Sequence, residues 1–191
     1  MRVRPGKALL LAAALASTAA CEAREEPRGI IGDTTAPLPV AEQLSDGNIV
    51  AFLARSTETA INLARTAEPR ARSEEVREYA QRSLEEHMAM QQRLDSVAAA
   101  RNIVRQASVG RDAVDAEMAQ RADALITTPG AVFDSAYVST QRAVDGHFLE
   151  NVTQFAGAAS DEQLRILLRS WIPTSQARIT KGVGLQRSLA P

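Results

Sequence analysis

From Ser45 onward, apolar residues recur at a helical period, and the elements can be read from where that period starts, stops and resumes. The first run carries Ile49, Leu53, Ala60, Ala64 and Ala67 behind Ser45 or Asp46 as N-cap. Pro69 ends it, because the residue before a proline is driven out of the helical region. A second run opens at Ser73 with Glu74 and Glu75 in the first turn, where the helix dipole favours acids. It continues to about Asn102 along Val76, Ala80, Ser83, His87, Met90, Leu94 and Val97.

A crossover from Ile103 to Thr127 then holds a shorter helix marked by Ala113, Met118, Ala122 and Leu125. Thr128 as N-cap and Pro129 in the first helical position open a third long helix, with Phe133, Tyr137, Thr140, Val144, His147, Phe148 and Phe155 as its buried stripe. Ser160-Asp161-Glu162-Gln163 has the pattern of a capping box ahead of Leu164, Leu167, Leu168 and Trp171, so a fourth long helix starts there. Pro173 is expected to kink or break it, leaving a glycine-weakened tail through Ile179, Val183, Leu185 and Leu189 that frays before Pro191. Two helices joined by a short turn, a long connection and two more helices make an all-α four-helix bundle with a crossover that contains a short helix.

Composition agrees with packed helices. The 191 residues are 45% hydrophobic but only 4% aromatic, a poor supply for a β-sandwich core and a good one for Ala-rich helix packing. Formal net charge is −1, and three of the 22 basic residues (Arg2, Arg4 and Lys7) lie in the N-terminal segment, so the rest is acidic. That balance is the opposite of what a nucleic-acid partner requires.

That N-terminal segment is the clearest address in the chain. Residues 1–20 read as a signal peptide: a basic start, an apolar run from Ala8 to Ala16 too short to span a membrane, and small residues up to Ala20. Thr18-Ala19-Ala20 precede Cys21, the one cysteine, and resemble the lipobox at which bacterial lipoproteins are cleaved and acylated, with Thr18 where a Leu is usual. An unpaired thiol in an oxidising envelope is a liability unless it is used, so lipidation of Cys21 is the expectation, with an ordinary cleaved signal as the alternative. Residues 21–44, with Pro27, Pro37, Pro39 and the charged run Glu22 to Glu26, are expected to form a disordered tether ahead of a helical domain at 45–191. The implied location is the periplasm, on a bacterial membrane and by preference the outer one.

Several segments together resemble the domain-of-unknown-function 4142 family. They are Asp46 with Ile49, Val76-Arg77-Glu78-Tyr79-Ala80 followed by Glu86-His87, the stretch Gly130 to Tyr137 containing Phe133, Asp134 and Tyr137, then His147, and Ile172-Pro173. The resemblance covers Ser45 to Leu189 and implies a bacterial envelope protein with a ferritin-like bundle and no assigned activity. The family commonly has a His about one turn after the last Pro; here Ala177 and Arg178 stand there, which weakens any metal or cofactor role taken over from it.

Candidate chemistry centres on the two histidines, His87 and His147, both on stripes read as buried. At about 1.5 Å per residue they lie about 21 Å and 27 Å from the starts of helices that a long crossover would make parallel, which places them near one layer. Glu58 on the first helix is the nearest candidate acid. These three could form a polar core site for a transition metal such as Fe or Cu; alternatively, the histidines satisfy core hydrogen bonds to a hydroxyl, a carbonyl or Glu58. A di-iron site needs Glu-x-x-His on two helices, and Leu84 and Val144 occupy the positions three before His87 and His147. Asp134 and Tyr137, three apart, are expected to hydrogen-bond near a helix start and lock the adjoining loop. No nucleophile elbow, phosphate loop or Cys-x-x-Cys is present. The expectation is a non-enzymatic, tethered binding or interaction module without a cofactor, with an unidentified protein or small-molecule partner and envelope stress as a candidate setting. The alternative is a ferritin-like metal-binding protein that uses the core histidines.

Overall fold

The computed structural model describes residues 44–106 and 112–190. The expected signal peptide, Cys21 and nearly all of the tether lie outside the described residues. Within them the fold is all-α: α1 (Asp46–Ala67), α2 (Glu74–Ala100), a short α3 (Asp112–Ala124) followed by a 3-10 turn (Leu125–Thr127), α4 (Gly130–Ala158) and α5 (Glu162–Ser188). α1 packs on α2 and α4, and α5 packs on α4 and α2, so the four long helices form a bundle with α3 laid on α1 and α4. No helix among the described residues is long and apolar enough to cross a membrane.

Side chains at the two ends fix the direction of each helix. At one end the Asp46 carboxylate accepts from the Ser160 and Asp161 amides at 2.8 and 2.9 Å, and Arg101 pairs with Asp161 at 2.7 Å. The start of α1, the end of α2, the end of α4 and the start of α5 therefore meet there. At the other end Asp134 accepts from the Arg72 and Ser73 amides at 3.0 and 2.7 Å, and Gln186 reaches Ser135 at 3.1 Å. α2 and α4 accordingly run parallel, as the long crossover requires.

Arg70 ties the crossover down. Its guanidinium donates to the carbonyls of Leu125, Ile126 and Thr128 and lies over the Phe133 ring, 4.2 Å from the centroid. α2 ends in a Schellman turn with Asn102 at φ 54°, one of the few non-glycine types that tolerates the left-handed region. The chain then passes close to the start of α1, where the Gln106 amide donates to the Gly47 carbonyl at 3.1 Å.

Three local expectations need correction. Pro129, not Thr128, is the N-cap of α4, because the Thr128 hydroxyl is already turned back to the Ala124 carbonyl at 2.9 Å and closes the 3-10 turn. Asp161 rather than Ser160 caps α5, its carboxylate accepting from Gln163 and Leu164. Pro173 does not break α5, which runs on through Ser188. Pro173 faces solvent with Arg169, whose carbonyl loses its helical partner there, while Trp171, Ser175, Arg178, Gly182 and Leu185 stay buried on the other side. Packing of that stripe outweighs the loss of one backbone bond.

The core has two apolar halves. One contains Ile49, Phe52, Leu53, Leu94, Phe148, Phe155, Leu168 and Trp171, and the other Leu63, Val76, Tyr79, Phe133, Tyr137 and Leu185. Between them, at the middle of the long helices, lie Thr57, Ser83, His87, Gln141, Asp145, Ser175 and Arg178, every one buried. Buried charge is costly unless it is paired, so this layer is the first place to look for function.

Candidate functional site: a charged layer and the cleft above it

The layer is built from helical stripes that change from apolar to polar for about one turn. On α4 the buried residues Phe133, Tyr137, Gln141, Asp145, Phe148 and Val152 follow one another at three or four positions, so Gln141 and Asp145 occupy sites where an apolar residue would otherwise pack. On α5 the same holds for Trp171, Ser175, Arg178 and Gly182, and on α2 for Tyr79, Ser83, His87 and Met90. α2 and α5 thus bring His87 and Arg178 onto Asp145.

One carboxylate oxygen collects the contacts. Asp145 Oδ1 lies 3.0 Å from Arg178 Nε, 3.3 Å from His87 Nε2 and 3.2 Å from Gln141 Nε2, which donates to it. Arg178 Nη1 donates to Glu86 at 2.8 Å, and His87 Nδ1 donates to the Ser83 carbonyl at 2.7 Å. A carbonyl can only accept, so the proton of that last bond sits on Nδ1.

The electrostatics keep these groups charged or neutral as they stand. Burial works to raise the Asp145 carboxyl, but His87 and Arg178 together outweigh it and hold the group below the usual aspartate range. Burial likewise opposes the Arg178 charge, and Asp145 and Glu86 more than restore it. The Tyr79 phenol is pushed well above its ordinary value by burial and then by Asp145, against the opposing pull of Arg178 and Arg142. Tyr137 is raised by burial and by Tyr79, with the Ser83 hydroxyl beside it acting the other way. An ionised carboxylate, a fixed guanidinium and two neutral phenols thus surround the His87 imidazole.

The layer reaches the surface through a cleft of about 330 Å³ between α2 and α5. Tyr79, Ser83 and Arg178 form its floor, Glu86 is half-buried in its wall, and Glu78, Arg82, Ala177 and Lys181 stand at the rim. Behind Tyr79 the bare backbone of Gly182 leaves room for two side chains: a Cβ there would stand 2.6 Å from Arg142 Cγ and 2.9 Å from the Tyr79 hydroxyl.

The structure sorts the residues singled out from sequence. His87 is in the layer, and its bond to the Ser83 carbonyl is one of the core partnerships anticipated for it. His147 is not in the layer: it is half-buried on another side of α4, 6.0 Å from the Phe52 ring and beside Asn151, whose amide donates to the His147 carbonyl. Glu58 is exposed and lines a separate groove with Arg65 and Gln92, so the acid facing His87 is Asp145 instead. The expected cluster of His87, His147 and Glu58 is therefore not assembled: His87 is buried in the layer, His147 is half-buried beside Phe52, and Glu58 is exposed in a separate groove. Among the described residues no three His, Cys, Asp or Glu side chains are grouped to hold a metal ion. Asp134 does lock a loop, through the Arg72 and Ser73 amides, but Tyr137 points into the core by Ser83 instead of bonding to it. Phe133 is fully buried beneath Arg70.

Asp145, Arg178 and Glu86 were not proposed as site residues from sequence. For Asp145 and Arg178 the signal was an acid on the mainly apolar α4 stripe and an Arg seven residues after Trp171, on its face.

The sequence profile of the family described as Domain of unknown function (DUF4142) matches residues 33–183. No curated protein and no solved structure matches the chain.

Proposed function

The chain belongs to the DUF4142 family, and from that premise we propose that it is a non-catalytic binding module, tethered to a bacterial membrane on the periplasmic side by a lipid on Cys21. The bundle would present the α2–α5 cleft to a small ligand, and the charged layer would fix the group that grips it.

One observation carries the binding reading: Arg178, buried and held by Asp145 and Glu86, forms the floor of an open cleft. A fully buried ion pair adds little to stability compared with apolar packing. Placed under a cleft it supplies a rigid, pre-oriented recognition group, which lowers the ordering cost of binding. Support for the tether is the sequence around Cys21 together with its lack of a disulfide partner in the chain.

Native mass spectrometry of the full-length protein, released in mild detergent from the envelope of its own host, tests both parts. A covalent mass of a diacylglyceryl-type modification, absent from Cys21→Ala, is expected, together with a non-covalent small molecule that leaves on activation. An unmodified cysteine would remove the tether, and a protein free of any small molecule would remove the binding role.

A further inference from the structure

Within the charged layer, His87 is the side chain of the type that changes charge between about pH 5 and 8. It is fully buried, and each of its ring nitrogens faces an oxygen. Nδ1 lies 2.7 Å from the Ser83 carbonyl, which can only accept, so Nδ1 carries a proton. Nε2 lies 3.3 Å from Asp145 Oδ1, an oxygen of an ionised carboxylate, which can also only accept. With a second proton on Nε2 this contact is an ion pair. Without it, two lone pairs face each other out of reach of solvent, at a cost to the bundle.

Charge balance favours the second proton. Asp145 and Glu86 both sit on Arg178, two carboxylates on one guanidinium, and an imidazolium makes the group two and two. Other side chains of the layer leave that count unchanged. From α4 come Gln141, which donates to the same Asp145 oxygen, Tyr137, and the Phe148 ring, 6.1 Å from the imidazole. From α1 comes Thr57, whose hydroxyl is turned to the Leu53 and Ala54 carbonyls of its own helix. α2 itself adds Tyr79, and burial keeps both phenols neutral. Arg142 is half-buried behind Tyr79, against Gly182, while Glu78, Arg82 and Lys181 stand exposed at the cleft rim, where water and salt screen them.

We infer that His87 is a proton-operated clamp: doubly protonated, it ties α2, which carries one wall of the cleft, to Asp145 on α4, and loss of the Nε2 proton unties it. The clamp does not depend on what the cleft binds. An α2 that has come away from α4 gives up that proton near the ordinary histidine value of about 6.5. The clamp's contribution to stability is therefore complete below that pH and is lost as pH rises.

Long-range ¹H–¹⁵N spectra of the imidazoles in full-length, ¹⁵N-labelled protein in detergent provide the test. The chain has two histidines, and His147→Gln, a change outside the layer, tells their signals apart. At about pH 6 both His87 nitrogens are expected at imidazolium shifts. At about pH 9 Nε2 is expected to have lost its proton, and the α2 amides between Tyr79 and Met90 to exchange about tenfold faster than at pH 6 once the intrinsic base catalysis is divided out. In Asp145→Asn the ring should carry one proton at pH 6, and in His87→Gln the corrected exchange should not change with pH. A wild-type His87 ring with the same number of protons at both pH values, or α2 exchange unchanged when the proton leaves, would overturn the clamp, and both readings stand whether or not the variants fold. A folded Asp145→Asn protein that kept both ring protons at pH 6 would overturn Asp145 as the partner.

Discussion

Arg178 and Asp145 meet at 3.0 Å in the middle of the bundle, each side chain almost wholly cut off from solvent, and they join α5 to α4 between two apolar half-cores. Their energetics are asymmetric. Removing one partner strands a buried charge, whereas replacing both with apolar residues of similar volume strands none of the pair.

Arg178→Met and Asp145→Leu are therefore each expected to lower unfolding free energy by about 3–5 kcal/mol, and the double variant by much less than their sum. Urea denaturation of the four proteins, followed by far-ultraviolet circular dichroism, measures the coupling. Additive losses would mean that the pair does not interact.

Acid should unfold the protein through the same carboxylate. Asp145 is held below its ordinary value in the folded protein, and so is Asp161, chiefly by Arg101 and by the Leu164 amide. Just below the ordinary aspartate value of about 3.9 the unfolded chain therefore binds more protons than the native one. The stability these groups contribute is complete above that value and is lost as pH falls through their lowered native values. Melting temperature should be flat with respect to these groups from pH 7 to about 5, then fall, and the fall should be shallower in Asp145→Asn.

Two carboxylates act as remote caps. Ser73 makes no side-chain cap on α2, and Asp134 accepts from the Arg72 and Ser73 amides in its stead, as Asp46 does for Ser160 and Asp161. Asp134→Ala should cost about 1–2 kcal/mol, measured by denaturant midpoint, because two amides lose a charged acceptor.

Glycine replacements should differ in sign. A Cβ on Gly47 would stand 2.3 Å from the Val104 carbonyl oxygen, backbone that must shift, so Gly47→Ala is expected to destabilise by about 1–3 kcal/mol. A Cβ on Gly146, inside α4, meets nothing within 4 Å, and Gly146→Ala should stabilise by about 0.5–1 kcal/mol. Thermal melts of the two variants decide both.

The helices were legible in the sequence because each long one carries an apolar stripe and ends at Pro69, Asn102 or the Ala158–Ser160 turn. Cap assignments at Thr128 and Ser160 were off by one residue, since a hydroxyl or carboxylate two positions from a helix start can serve either neighbour, and tertiary packing decides which. Pro173 was misjudged for a related reason: its local cost is real, but the stripe from Trp171 to Leu185 is long enough to carry the helix past it. His87 was legible as an inward imidazole. Its partner was not, because Asp145 is 58 positions away and choosing it over Glu58 requires the rotation of α1 and α4 about their axes, which a period of 3.6 residues fixes only to within about a residue. Arg178 was visible only as a residue standing where the family has another.

The most direct measurement compares wild type with Asp145→Leu/Arg178→Met, both released from the native envelope and weighed intact with their bound molecules. The double variant keeps two filled half-cores and should remain folded and helical, yet it lacks the guanidinium at the cleft floor. Wild type is expected to carry a non-covalently bound small molecule and the folded double variant none. A double variant that retained the same ligand at the same occupancy would show that the charged layer does not serve binding.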